Sequence, residues 1–506
     1  MLMLLHTFGE CGGRFMIYTF VLLFVIFACY CMYVKYIHMK YDHIPGPPRD
    51  SFLFGHSPAI LRAMKEDEVI HDKFLEWHEK YGPVCRFNML HFVVITVTSP
   101  EAVKEFLMSS KYPKDPYIYE RLFSFFGTRF LGHGLATDTN QDHWYKQRRM
   151  MDPAFSNLYL RGMIDTFNEV AEDLMEKLEE LAESHTSAHM HNLVNCVTLS
   201  VIAKVAFGID LNLLETESPF PKAIEKVLNG IVYYIRDPMM LFKPWKWKFI
   251  KEVKDAIKLL RKTGEKCITE RKRAMRNGES VPKDILTQIL KSAEQDQHDD
   301  LEQMLDNFLT FFIAGQETTA NQLSFAIMEL GRHPEILRKL RKEIDDVLGA
   351  KKDIEYEDLG KLTYLSQVLK ETLRLYPPAP GTSRWVAEDM VISGIHVPGG
   401  AQVLMNTYVT GRMEEFFPDP LKFDPERFHP DAPKPYFTYF PFALGPRSCI
   451  GKTFSQMEAK VVLSKLVQRF EMQLIPDQSF DIMDTGTLRP RSGVVCNIRS
   501  RSLASG

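Results

Sequence analysis

The longest apolar run in the chain lies near its start, where "FMIYTFVLLFVIFACYCMYV" extends from Phe15 to Val34 without a charge. At ~1.5 Å rise per residue, a helix of that length spans roughly the 30 Å hydrocarbon core of a bilayer. A cleavable signal peptide has a shorter apolar stretch and a small-x-small cleavage site, which Ala28-Cys29-Tyr30 does not supply. Lys35, Lys40 and Arg49 follow the run, and Arg14 is the only Lys or Arg before it. That bias places the large C-terminal part on the cytosolic side. In "HIPGPPRDSFLFGH", Pro45, Pro47 and Pro48 fix φ and prevent a helix. With no second apolar stretch of this length evident, the pattern implies an anchor over residues 1–40, a connector over 41–50 and one body over 51–506.

The body alternates less regularly. "VCRFNMLHFVVITVTSP" (Val84 to Pro100), rich in β-branched and aromatic residues, predicts two short strands. From Glu101 to about Asp346 the spacing is mostly helical, with apolar residues at three- and four-residue steps in "MIDTFNEVAEDLMEKLEELAES". The segment from Asp306 to Pro334 predicts one long, largely buried helix, and Tyr117 to Phe130 a loop. Val391 to Val409 returns to strand-like alternation, and Thr453 to Phe470 predicts the last helix. The acidic run Glu294 to Asp300 predicts a solvated loop. The fold class is therefore mainly α with small β-sheets (α+β). The missing βαβ rhythm argues against a Rossmann fold, and no G-x-G-x-x-G or P-loop marks a nicotinamide or ATP site.

A formal net charge of −3 gives no sign of a nucleic-acid partner. The eight cysteines are scattered, with no C-x-x-C pair. They suit neither a zinc ribbon nor a disulfide framework, and point to a reducing compartment.

One cysteine has unusual neighbours. "PFALGPRSCIG" surrounds Cys449 with Phe442, Gly445, Arg447 and Gly451. A buried, inert thiol is the usual fate of a lone cysteine. This loop also suits a thiolate ligand to haem iron. Gly445 and Gly451 would let backbone lie close to the porphyrin, and Arg447 would reach a propionate. Phe442 would shield the sulfur, and the following helix N-terminus would favour its negative charge.

The ten-residue segment "FALGPRSCIG" resembles the haem-binding signature of the cytochrome P-450 monooxygenases. Three further motifs stand in that family's order. "AGQET" (Ala314 to Thr318) resembles its oxygen-activating helix. There Gly315 would loosen the helix, and Glu317 and Thr318 would supply an acid and a hydroxyl for proton delivery; an ordinary helix with a back-bonding threonine is the alternative. Glu371 and Arg374 of "KETLR" lie on one helix face. The resemblance completes them with Arg427 of "PERF" as a structural charge network bracing the haem loop. "WYKQR" places Trp144 and Arg148 where the family binds propionates, and Arg384 of "GTSRW" matches a further propionate arginine.

The fold, cofactor and partners implied by the resemblance are those of a P-450 preceded by one transmembrane helix. It implies haem b held by the Cys449 thiolate, and electrons from NADPH through a separate NADPH-cytochrome P-450 reductase. Lys146, Arg149 and Lys452 are candidates for the reductase docking surface. The location implied is the endoplasmic reticulum membrane, single-pass, with a cytosolic catalytic part. Within the family, "DILTQIL", "LSQVLKETLRLYPPA" and "APKPYFTYFPFALG" resemble the cholesterol 24-hydroxylases. That implies oxygen insertion into a sterol side chain, although Pro380 and Ser383 stand where bulkier aromatics are expected. Candidate pocket residues are Phe123, Phe126, Ala314, Ala379 and Thr487, the two phenylalanines being equally compatible with core. The competing readings are a monooxygenase of another lipid or xenobiotic, a haem-thiolate isomerase or dehydratase, and a haem sensor.

Overall fold

The computed structural model describes residues 2–237, 239–295 and 300–501, with side chains from Phe15 onward. The first helix runs from Leu2 to Tyr41. Within its Phe15–Tyr41 part an 18-residue window has a mean hydropathy of 2.4, and that part is apolar and long enough to cross a membrane. The last turns do not hang free. Val34, His38 and Tyr41 are buried against the body. His38 Nε2 donates to the Leu90 carbonyl (2.9 Å), Lys40 Nζ to Gly399 (2.7 Å) and the Tyr41 hydroxyl to Gly399 (3.0 Å). A second helix, Met190–Phe207, also passes the length and hydropathy test, which the sequence reading did not anticipate. With 67% of it buried, it is a core helix rather than a span.

The β-rich part is a four-stranded sheet ordered Val84–Met89, Phe92–Val97, Ala401–Asn406, Gly381–Val386. Phe92–Val97 pairs in parallel with Ala401–Asn406, with Val94 opposite Gln402, and the outer pairs are antiparallel. Chain segments far apart in sequence thus form one sheet beside the helical core.

That core is organised by the helix Leu301–Arg332, which packs most extensively against Met190–Phe207. It starts ahead of the Asp306 expected from apolar spacing because Asp300 caps it, accepting from the Gln303 N–H. Its first turns bury polar groups, among them Asp306, which Arg129 and Arg261 neutralise. The acidic run therefore ends as a cap, and its residues 296–299 lie outside the described residues.

The expected loop from Tyr117 to Phe130 is instead a helix and a hairpin. Asp115 caps Pro116–Phe123 by accepting from Ile118 N–H (2.9 Å), and Pro116 occupies the first turn, where a missing N–H costs nothing. Ser124–Phe125 then pairs with Thr128–Arg129 around Gly127. The C-terminal helix, Lys452–Arg469, opens directly after the Cys449 loop.

Candidate active site

Two adjoining cavities of about 220 and 340 Å³ meet over Cys449. Both are lined by Cys449, Phe442 and Arg447 on one side and by Ala314, Thr318 and Thr319 on the other. The loop holding Cys449 is a series of tight turns. The Cys449 N–H donates to the Phe442 carbonyl (2.8 Å), and Ser448 N–H to Gly445 (3.0 Å). Gly445 has φ +66°, and a Cβ there would stand 2.2 Å from the Leu107 carbonyl oxygen. It is the neighbouring backbone at Leu107 and Met108 that requires this glycine, not an approaching cofactor. Gly451 is different: a Cβ would meet only the Cys449 Sγ, at 3.9 Å, and the residue borders the cavity.

Gly445→Ala is expected to cost about 1–3 kcal/mol through left-handed strain, with further loss from the collision. Thermal melting together with haem content per protein would check this. Wild-type values for both would show that the loop relaxes freely.

The opposite wall belongs to the central helix. Its neighbours are buried, yet Ala314 is exposed to the cavity and Gly315 and Thr318 are half-buried. The helix is unbroken here, contrary to the loosening expected at Gly315. A Cβ on Gly315 would stand 2.8 Å from Ile202 Cδ1, so this glycine serves close helix packing. The Thr318 hydroxyl donates to the Ala314 carbonyl (2.7 Å) while its side chain borders both cavities.

Three cations gather at the cavity edge. Lys114 and Arg447 line it, and Arg384 is buried close by. Lys114 donates to the Ala136 carbonyl (2.8 Å), and Arg384 to Ser383 O (2.9 Å). Arg447 donates to Asp138 O (2.8 Å) and Gln141 Oε1 (2.9 Å), and its guanidinium lies 4.0 Å over the Trp144 ring. Among the described residues none of the three forms a salt bridge with a carboxylate. Burial and the Arg384 charge push Arg447 down to about 9, and burial also lowers Lys114 and Arg384. Cations withdrawn from bulk water without a countercharge are costly; this cluster calls for an anion.

A model of the cytochrome P450 family matches residues 45–498. The chain belongs to the cytochrome P450 family. It is 30% identical over 490 residues to cytochrome P450 4V2 of Homo sapiens, covering 91% of this chain and 90% of that protein. It is 29% identical over 493 residues to cytochrome P450 4d2 of Drosophila melanogaster (91% and 94% covered). Cytochrome P450 3A6 of Oryctolagus cuniculus is 28% identical over 507 residues (96% and 98% covered).

A cytochrome P450 carries a thiolate-ligated haem, a flat ring with two carboxylate arms, and the site fits one. The slot lies between Cys449 and the Ala314–Thr318 wall, and Lys114, Arg384 and Arg447, which have no carboxylate partner among the described residues, suit the two carboxylates. The Arg447 Nε is buried without a hydrogen-bond partner. Burial raises the Cys449 thiol above its ordinary value, while the Gly451 N–H and the Arg148, Lys452 and Lys114 charges lower it. No group of three or more His, Cys, Asp or Glu residues suited to a metal ion occurs among the described residues.

Several expected positions fall elsewhere. Arg148 borders one of the cavities but is already engaged: it donates to Ser448 O (2.7 Å) and Asp152 (2.6 Å), which braces the cysteine loop. Phe123 packs on His133 and Arg129, and Phe126 edge-on against Tyr234, so neither borders the two cavities. Ala379 does border one, whereas Thr487 turns away and donates to Glu317. Glu317 is buried behind the wall, not on it. Ser383 bonds Asp115 instead of lining the cavity. The sequence reading missed Lys114 and Tyr119; the "YPKDPYIY" segment carries both, but its position at the cavity edge has no local signal.

Glu371, Arg374 and Arg427 do meet. Arg374 and Glu371 are fully buried and joined by two hydrogen bonds of 2.7 and 2.8 Å. Arg427 Nε lies 3.4 Å from the same carboxylate.

Proposed function

We propose that this cytochrome P450 inserts one oxygen atom into a C–H bond of a lipophilic substrate, with the cholesterol side chain as the finer reading. In balance, RH, O2, two protons and two electrons give ROH and water. The observation that carries this is the pairing of Cys449 with an opposing wall whose open face is Ala314 and Thr318. The haem, when bound, supplies oxygen activation, favoured by the electron-rich thiolate.

The chain's own residues supply the rest. Cys449 holds the cofactor, and Lys114, Arg384 and Arg447 orient it through its carboxylates. Ala314 leaves space over the ring. The Thr318 hydroxyl holds a proton at Oγ1 on the cavity wall, and Glu317, its neighbour in the helix, is the acid behind it. An isomerase, dehydratase or haem sensor has no use for that acid and hydroxyl. The sterol reading is supported by the segments resembling cholesterol 24-hydroxylases.

Electrons come from a redox partner. An NADPH-dependent flavoprotein at the endoplasmic reticulum membrane agrees with the apolar first helix and with the exposed Lys146, Arg149 and Lys452 near the cysteine loop. Product analysis after incubation with that reductase, NADPH and cholesterol tests the reading. A single 24-hydroxylated sterol supports it in full. No oxygenated product from sterols, fatty acids or xenobiotics, with haem-thiolate spectra intact, overturns it.

Thr318→Ala is expected to retain haem but to divert about tenfold more reducing equivalents to peroxide, less than the roughly hundredfold or larger effect of losing a general acid outright. Measuring peroxide against product would check this; unchanged coupling would remove the role of Thr318.

A further inference from the structure

Thr487 lies on the turn between the strands Ile482–Asp484 and Leu488–Pro490 and is half-buried. Its hydroxyl accepts from Asn321 Nδ2 (3.1 Å) and donates to Glu317 Oε1 (3.1 Å). A hydroxyl has one hydrogen, so accepting from Asn321 leaves that hydrogen for Glu317. Asn321 Nδ2 also donates to Glu317 Oε1 (3.3 Å). The direction of that amide is fixed further back. Gln316 Nε2 donates to Asn195 Oδ1, which leaves Asn195 Nδ2 to donate to His191 O (2.8 Å) and His191 Nδ1 (3.1 Å). With Nδ1 accepting, the imidazole is neutral and carries its hydrogen on Nε2, which donates to Asn321 Oδ1 (3.0 Å). Every bond from Asn195 through His191, Asn321 and Thr487 therefore points the same way. The series ends on a carboxyl that is only 7% exposed.

We propose that Thr487 is a positioning residue for Glu317: its hydroxyl ends a one-way series of neutral donors that holds the side chain behind the cavity wall as a carboxylate. This rests on the monooxygenase reading, in which Glu317 is the acid paired with Thr318. Glu317 Oε1 accepts twice and donates to neither partner, an arrangement that favours the ion over the acid. A carboxylate buried without such donors carries a large desolvation cost. No proton travels along the series, because the amides and the neutral imidazole keep their own hydrogens. What Thr487 sets is how readily the Glu317 carboxylate takes up a proton.

The surroundings agree. The turn is held in place, since Asp484 pairs with Leu488 across it and accepts from Arg236 Nη2 (2.6 Å). The titratable and charged groups beside the series, among the described residues, are His191, Arg489 and Glu225. Burial pushes His191, on the helix Met190–Phe207, below its ordinary value, which agrees with a neutral ring, and the Glu317 charge pushes it back up. Arg489 of the strand Leu488–Pro490 lowers it and Glu225 of the helix Phe220–Arg236 raises it. Those two lie 3.4 Å apart, so they largely offset each other. The donors, rather than a nearby cation, are what Glu317 relies on.

The test is Thr487→Val, which keeps the shape of the side chain and removes the hydroxyl, with Thr487→Ser as the conservative variant. In the ferric holoenzyme, difference infrared spectroscopy over a pH series reads the carbonyl stretch of protonated Glu317, assigned by its loss in Glu317→Gln. With one donor gone the carboxylate is less favoured, so in the valine variant the protonated band is expected to persist to a pH about one unit higher, a tenfold change in proton affinity. The pH profile of product coupling should move the same way, and Thr487→Ser should match wild type in both. A valine variant equal to wild type overturns the proposal, as does a serine variant displaced as far as the valine one, since the methyl group would then be what matters. If the valine variant fails to load haem, Thr487→Ala is read by the same criterion. A displaced band in an enzyme that oxygenates no substrate would keep the role of Thr487 and overturn the monooxygenase reading instead.

Discussion

Cys449→Ala is expected to lower substrate oxidation by about a thousandfold or more, equivalent to about 4 kcal/mol in the barrier. The thiolate-specific shift of the reduced carbon-monoxide complex should vanish with it. The reason is geometric. Cys449 is the residue whose side chain opens onto both cavities from the loop side with a soft, anionic donor. The fold should survive, because the thiol faces the cavity and the loop is held by backbone bonds, including Cys449 N–H to Phe442 O. Unfolding of the haem-free protein is therefore expected to change by no more than about 0.5 kcal/mol, as for a site with few packing partners. This separates loss of ligand from loss of structure. Persistence of the spectral shift in the variant would show that another residue holds the iron.

Arg374→Ala should have the opposite signature: a spectroscopic defect that follows from instability. All five guanidinium donors of Arg374 are used. Nε and Nη2 bind the two Glu371 oxygens, Nη1 donates to Gly411 and Pro420, and Nη2 also to Lys422. Glu371 additionally accepts from the Asp424 N–H (2.8 Å). One buried side chain therefore joins the helix Thr363–Leu375 to the long segment leading into the cysteine loop. Removing it leaves the buried carboxylate with only the longer Arg427 contact and the Asp424 N–H, and takes a donor from three carbonyls, a loss of about 3–5 kcal/mol. Against a total stability of about 5–15 kcal/mol, little holoenzyme should be recovered. Arg427→Ala should cost less, because Arg427 lies 3.4 Å from Glu371 and is partly exposed. Denaturant unfolding and haem content of both variants measure the difference. Equal stability of Arg374→Ala and wild type would mean that the network contributes nothing net.

These two sites were legible in the sequence because each is a short motif whose spacing carries its chemistry. The central helix was legible too, through its apolar run. Its true start was not, because Asp300 and Asp306 are polar residues whose partners, the Gln303 backbone and Arg129 with Arg261, are made by folding. The direction in which Glu317 points is set by the Thr487 hydroxyl, which approaches from another element, and by Asn321 one turn further along the helix. The cation cluster is assembled from Lys114, Arg384 and Arg447, each unremarkable in its own segment. Phe123 and Phe126 looked like a pocket roof by composition alone, yet Asp115 and Pro116 set a helix that turns them elsewhere.

The first helix has a practical consequence for how the enzyme is handled. Since Val34, His38 and Tyr41 sit in the body and bond its turns at Leu90 and Gly399, a soluble version cut after Tyr41 would strip away part of the folded unit. A cut near Ala28 removes most of the bilayer-length segment and leaves those docking turns in place. The same junction has no unstructured linker: the helix enters the body directly, so the angle between that apolar rod and the body is set by this single joint.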